Sequence, residues 1–236
     1  MKLFKTAVAS IAILTAASMA NAKDTSEEMR DVEAFTKVSL QGSMDVEVKV
    51  GSTQSVKVIA DSDIIEYLRT RVRGGELEID LKDSDGKRKI FRHIKKMQVI
   101  ITVPDLNGME VHGSGDMYVE NAVADKFELE VHGSGDAVLE NAKIGMLEVE
   151  LQGSGDIEMQ GSCDSIRVEL QGSGDVDATK MECKDADVML QGSGDVNVYA
   201  TASADVTVRG SGDIRVSGKP DKISSRVRGS GDIHVR

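Results

Sequence analysis

The tetrapeptide Gly-Ser-Gly-Asp occurs seven times, beginning at Gly113, Gly133, Gly153, Gly172, Gly192, Gly210 and Gly229, in steps of 18 to 20 residues. An altered copy, Gly42-Ser43-Met44-Asp45, lies near the front. A fixed period of this size marks a repeat architecture: one unit cannot bury its own apolar face, so its neighbours must cover it. Between tetrapeptides the residues alternate with period two. Met117 and Val119 fall on one side, Asn121 to Lys126 reads as a polar turn, and Phe127, Leu129 and Val131 return to the first side. The position after each Asp is apolar throughout: Met117, Ala137, Ile157, Val176, Val196, Ile214 and Ile233. This alternation excludes a helical repeat, and a propeller blade needs about 40 residues or more. The expected fold is all-β: a single-chain parallel β-helix, or β-solenoid, with rungs of 19–20 residues stacked ~4.8 Å apart.

The glycines suit sharp corners, because only glycine reaches the required backbone angles without strain. The Ser and Asp side chains can hydrogen-bond the backbone at such corners or along the stack. The two cysteines, Cys163 and Cys183, each lie seven residues before the last apolar residue of their units, Leu170 and Leu190. They therefore share one column on neighbouring rungs. That spacing is compatible with the Cα separation of about 4.4–6.8 Å that a disulfide requires, so a Cys163–Cys183 disulfide is predicted.

Residues 35–110 do not keep the period. Alternating runs at Phe35–Leu40, Val46–Val50, Ser55–Val58 and Leu77–Leu81 read as strands, and Met97–Val103 as a strand buried on both faces. Asp63 to Arg73 reads as a short helix. Ile64, Ile65, Leu68 and Val72 form its apolar face, Asp63 and Glu66 a capping box, and Gly74 its stop. At the very front, Lys2 and Lys5 precede the apolar run Ala7–Met19 and then Ala20-Asn21-Ala22, the pattern of a cleaved signal peptide. The run is too short for a membrane span, and no cysteine follows it to carry a lipid anchor. The division expected is thus a signal peptide over 1–22 and a flexible lead-in over 23–33. A β-rich cap with irregular rungs and one short helix occupies 34–110, and the regular solenoid 111–236. The location expected is outside the cytoplasm, in the periplasm or at the cell surface.

Charge narrows the partners. The formal charge is −11, and removing Lys2 and Lys5 makes it −13. Phosphate would repel such a chain, which argues against nucleic acid. With no Trp, three Tyr and four Phe, stacking platforms for bases or sugars are scarce. One basic interruption, Lys82 to Lys96, holds Lys87, Arg88, Lys89, Arg92, Lys95 and Lys96. It reads as a solvated loop or as a contact with anionic lipid or lipopolysaccharide phosphate.

Stacking aligns Asp116, Asp136, Asp156, Asp175, Asp195, Asp213 and Asp232, with Asp45 from the altered copy. The column reads as a corner hydrogen-bonding device, or alternatively as a set of oxygen ligands for Ca²⁺. The residue before each tetrapeptide is His112, His132, Gln152, Gln171, Gln191, Arg209 or Arg228. The adjacent His112 and His132 offer two ligands to a transition metal, with no third assured. No nucleophile elbow, zinc-protease motif or phosphate loop appears, so no catalytic residue is assigned and no resident cofactor is expected.

An opening Phe-x-x-Val before Gly-Ser-x-Asp, then Gly-Glu-Leu-Glu-Ile, then Ile101-Thr102-Val103-Pro104-Asp105-Leu106 leading into the tetrapeptide run resembles the head GIN domain family of auto-transporter adhesin-like proteins. The resemblance spans 34–236. It implies an exported β-helical protein with no catalytic residues to carry over. The repeat runs on to Ile233-His234-Val235-Arg236, so the membrane barrel of a self-translocating adhesin is not expected. The strand edge there is expected to favour end-to-end self-association. Together these point to a non-enzymatic binding or scaffold module of the cell envelope whose partner is an envelope protein or glycan. A Ca²⁺-linked surface adhesive or matrix protein and a polysaccharide-active β-helix enzyme are the alternatives.

Overall fold

A computed structural model describes residues 25–82 and 94–236. The chain winds into a β-solenoid of about six turns with rungs of about 20 residues. The signal peptide read over 1–22, and Lys87, Arg88, Lys89 and Arg92, lie outside the described residues. Among the described residues all strands join one 17-stranded sheet, because the longer strands bend around the solenoid and pair on more than one side.

Each regular turn has three paired segments. In β11 (Ala137–Gly153) they are Ala137–Leu139, Ala142–Ile144 and Met146–Gly153, each in parallel register with β12 (Ile157–Gly172). The pattern continues through β13 (Val176–Gly192) and β14 (Val196–Gly210). Two turns are split into shorter strands: β9 (Met117–Glu120) and β10 (Val123–Gly133) both pair with β11, and β15 (Ile214–Ser217) and β16 (Lys222–Gly229) both pair with β14. The stretch read as a polar turn, Asn121 to Lys126, is therefore partly a third, short side. It escapes the alternation reading because it contributes few inward residues per turn, among them Ala122, Ala142, Ile144, Cys163 and Cys183. Asn121 and Asn141 make the bend into it at φ +66° and +54°, a left-handed region Asn tolerates better than most residues.

The corners explain the repeat. The first glycine of each tetrapeptide has φ between +127° and +150°, a region L side chains rarely enter. The second glycine answers a different need. A methyl group placed on Gly155, Gly174 or Gly194 would fall on the carbonyl oxygen of the corner glycine one turn earlier. The altered copy is a true corner of the same stack: β2 (Lys37–Gly42) pairs in register with β8 (Gly108–Gly113), and β3 (Asp45–Val50) with β9. Met44 replaces the second glycine where no such tetrapeptide precedes it in the stack. Its side chain is fully buried, with Cε 2.8 Å from where a β-carbon on Gly42 would stand.

Below this corner the regularity ends. The chain leaves as β4 (Ser55–Asp61), returns through a hairpin of β5 (Leu68–Arg73) and β6 (Glu76–Leu81), and rejoins as β7 (Met97–Val103). β6 lies parallel under β2 and β7 parallel under β3. β4 and β5 then cover them antiparallel. The expected helix over 63–73 is corrected: only a single 3₁₀ turn, Ile65–Tyr67, is present, and Leu68–Arg73 is a strand. Leu68, Thr70 and Val72 also alternate, and Arg69 and Arg71 find Asp80 and Glu78 across the hairpin. Gly74-Gly75, with φ +59° and +84°, is a hairpin turn rather than a helix stop. The lead-in expected to be flexible is corrected as well. Thr25–Arg30 forms β1, antiparallel to β4, and its largely exposed side chains left no apolar pattern to read.

Candidate functional site

The corner aspartates form a directional ladder. The backbone N–H of Asp136 donates to Oδ1 of Asp116 at 2.9 Å, and that of Asp156 to Asp136 at 2.8 Å. The same bond joins Asp175, Asp195, Asp213 and Asp232 to the aspartate one turn earlier at 2.7–2.9 Å. The corner serines bond through their backbones, as when Ser154 N–H donates to Gly133 O at 2.8 Å. The carboxylates of Asp116, Asp136, Asp156, Asp175, Asp195 and Asp213 thus each accept from a backbone donor, which offsets the repulsion of about 1 kcal/mol between screened like charges at this spacing. Near the C-terminal turns Arg215 adds contacts of 3.3 Å to Asp195 and 3.5 Å to Asp213. Among the described residues no three His, Cys, Asp or Glu side chains converge as a metal cage.

Cys163 and Cys183 are paired in register and joined as a disulfide, with Cα atoms 4.5 Å apart. They form the floor of an open groove of about 760 Å³ on the short side, rimmed by Asp125, Lys143, Asp164, Glu182 and Lys184. Lys184 spans 2.7 Å to Asp164, and that carboxylate holds the ammonium above its ordinary pKa.

The long side leading into the corners carries most of the paired charge. Lys37 donates to Glu128, and Lys126 reaches both Glu128 at 3.0 Å and Glu148 at 2.9 Å. Lys37 first, then Lys126, hold the Glu128 carboxyl below its usual range. Glu76 moves the other way, raised by burial and then by its neighbours Glu110 and Glu78. Asp80 is almost buried and takes two bonds from Arg69, at 2.6 and 2.9 Å, and one from Arg71 at 2.8 Å. On the side that follows the corners, Tyr118 donates to Glu140 at 2.6 Å, which pushes its phenol up to about 12.

His112 and His132 stack as the register requires, with ring centroids 4.9 Å apart and planes 5° from parallel. Reading the sequence by columns missed what lies beside them. Glu110 and Glu130, two residues earlier on each strand, place Oε2 3.4 and 3.5 Å from the neighbouring Nε2 atoms. The duplicated Glu-Val-His-Gly at 110–113 and 130–133 was the available signal. Of the basic segment, Lys82, Lys95 and Lys96 are described. Lys95 N–H donates to Asp61 Oδ2 and Lys96 O accepts from Asp61 N–H, while Lys82 N–H donates to Tyr67 O. Both ends of the segment are therefore fixed to the 61–67 stretch at the N-terminal end.

No curated protein matches the chain. Solved structures do. A “putative adhesin” from Bacteroides fragilis is 26% identical, with a TM-score of 0.85 over 91% of this chain and 98% of that one. A “putative lipid binding protein” and a “putative adhesin”, both from Parabacteroides distasonis, share the fold. They are 23% and 19% identical, with TM-scores of 0.71 and 0.70, over 90% of this chain and 97% of each of theirs. The sequence family described as “Putative auto-transporter adhesin, head GIN domain” matches residues 34–220. The altered corner at 42–45, the excursion through β4 to β7 and the turns up to Gly218 all fall within that match, and the chain belongs to the head GIN domain family.

Proposed function

We propose that this protein is a non-enzymatic binding module of the bacterial cell envelope, exported and held in the periplasm or at the surface, which engages an envelope protein or glycan along its side faces. The observation that carries the reading is the even surface. From Gly113 onward one turn follows another with the same three sides, and the grooves at 123–201 and 146–205 are open troughs between columns. Catalysis on a polymer needs a general acid and base held about one bond network apart; a repeating ladder instead offers the same group many times, which suits extended, multivalent contact. The “putative adhesin” name of the 26%-identical relative agrees with this.

Protease shaving and surface labelling of intact cells, followed by a glycan and envelope-fraction binding screen with purified protein, test the proposal. Saturable binding without turnover supports it. Depolymerisation of an acidic polysaccharide by the purified chain would overturn it. A second reading has one observation in its favour: Lys82, Lys95 and Lys96 are all held at one end of the solenoid. That end would then meet anionic headgroups, and neutralising Lys95 and Lys96 together with Lys87, Arg88, Lys89 and Arg92 would abolish flotation with anionic vesicles.

A further inference from the structure

We infer that His112, His132, Glu110 and Glu130 form a binding site for one divalent transition-metal ion of the zinc class. Strand period two puts Glu110 and His112 on the same outer face of β8, and parallel in-register pairing puts Glu130 and His132 directly beside them on β10. Two imidazoles and two carboxylates are a donor set that zinc accepts.

The geometry within each strand already fits. Zinc bonds of about 2.0–2.1 Å at tetrahedral angles hold neighbouring ligand atoms about 3.4 Å apart. Nε2 to Oε2 is 3.4 Å in the Glu110–His112 pair and 3.5 Å in the Glu130–His132 pair. Each pair is thus spaced as one edge of a tetrahedron. The two edges are one strand spacing apart, with the imidazole centroids at 4.9 Å. Closing them onto one ion requires the two stacked rings, now 5° from parallel, to turn about their side-chain bonds until both Nε2 atoms face it. All four side chains are 27–41% exposed, so they have room to turn and water does not have to be expelled from a core. This need for movement is why the four donors do not converge as they stand.

Local charge favours a cation. Glu110 and Glu130 repeat in one column at the strand spacing, where like charges repel. A dication between the two pairs neutralises both carboxylates, with each imidazole neutral and its ring proton on Nδ1. The next turn does not extend the site: Gln152 occupies the histidine position there and bonds Glu150.

The test uses untagged protein, stripped with chelator and titrated with zinc chloride by calorimetry. The expected result is one ion per chain, in a monomer, with affinity in the micromolar range. His112→Ala and His132→Ala are each expected to weaken binding by at least the ~10–100-fold that loss of a mere outer-shell partner brings. Glu110→Gln and Glu130→Gln weaken it less, and Asp136→Asn leaves it unchanged. Because the four side chains are exposed, the variants keep the parent circular dichroism and melting temperature. Absence of saturable binding, binding that survives in the double histidine variant, or one ion per two chains with zinc-dependent dimerisation would each overturn the site.

Discussion

The turns from Gly113 onward and the excursion between β3 and β8 are built under different rules. In the regular stack every corner rests on another corner, so both glycines are forced, one by its φ and the other by the carbonyl beneath it. In the excursion the strands meet antiparallel, and a hairpin turn faces open space: nothing lies within 4 Å of a β-carbon on Gly74 or Gly75. The first region is specified by backbone crowding and the second by side-chain pairing. Met44 marks the border, a buried side chain at the place where the glycine column ends.

The sharpest way to break this contrast is a pair of glycine substitutions. Gly174→Ala sets a methyl on the Gly155 carbonyl within a stack that cannot shift on either side. A loss above about 4 kcal/mol, or failure to fold, is expected. Gly75→Ala meets only its left-handed φ of +84° and loses about 1 kcal/mol. Urea unfolding of both decides the matter, and equal losses would dissolve the distinction. Next in size is the disulfide. Replacing Cys163 and Cys183 together by Ser should lower stability by about 3 kcal/mol for a closed loop of this length. Hydrogen exchange should quicken between 157 and 192 and stay slow in β4 and β7.

Side-chain pairing in the excursion is tested by Asp80→Asn. It weakens charge-assisted bonds to Arg69 and Arg71 and should cost about 2 kcal/mol. A smaller effect follows from Tyr118. The folded state keeps a phenolic proton up to about pH 12, while the unfolded chain loses it near 10. Stability therefore falls as pH rises through that window, while below it the contribution of this group is fully present and does not change with pH. Glu140→Gln should bring the ultraviolet titration of Tyr118 back toward 10. The smallest effect is expected from calcium. With Oδ1 of Asp116, Asp136, Asp156, Asp175, Asp195 and Asp213 already accepting a backbone N–H, millimolar Ca²⁺ should leave the melting temperature of chelator-stripped protein unmoved. A clear rise would favour the ligand reading of the aspartates.

The regular stack was legible because one constraint recurs in every turn and writes the same four letters each time. The cysteine column followed from the same count. The excursion was not legible in that way. Leu68 to Arg73 fits both a 3.6-residue and a two-residue apolar spacing, and the arbiter was Asp80 and Glu78 across the hairpin, which no local window contains. β1 was hidden for a related reason: its pairing with β4 is through backbone, and its side chains face water. The basic residues could be seen in sequence, but the place of Lys82 and Lys96 could not, since these two are brought to one end only by the way β6 and β7 pair beneath β2 and β3. The histidine pair was visible as a column; the carboxylates that complete it belong to the neighbouring column, two residues away.

The disulfide has a mechanical meaning. Cys163 and Cys183 close one full turn into a covalent ring. A load applied to the two ends of the chain would pass from one sulfur to the other and bypass the residues between them. Those residues would otherwise pay out roughly 65–70 Å of extended chain. With the bond intact that length is withheld, and unravelling from either end would leave this loop closed. Reduction would return the slack, so the extensibility of the protein depends on the redox state of its surroundings.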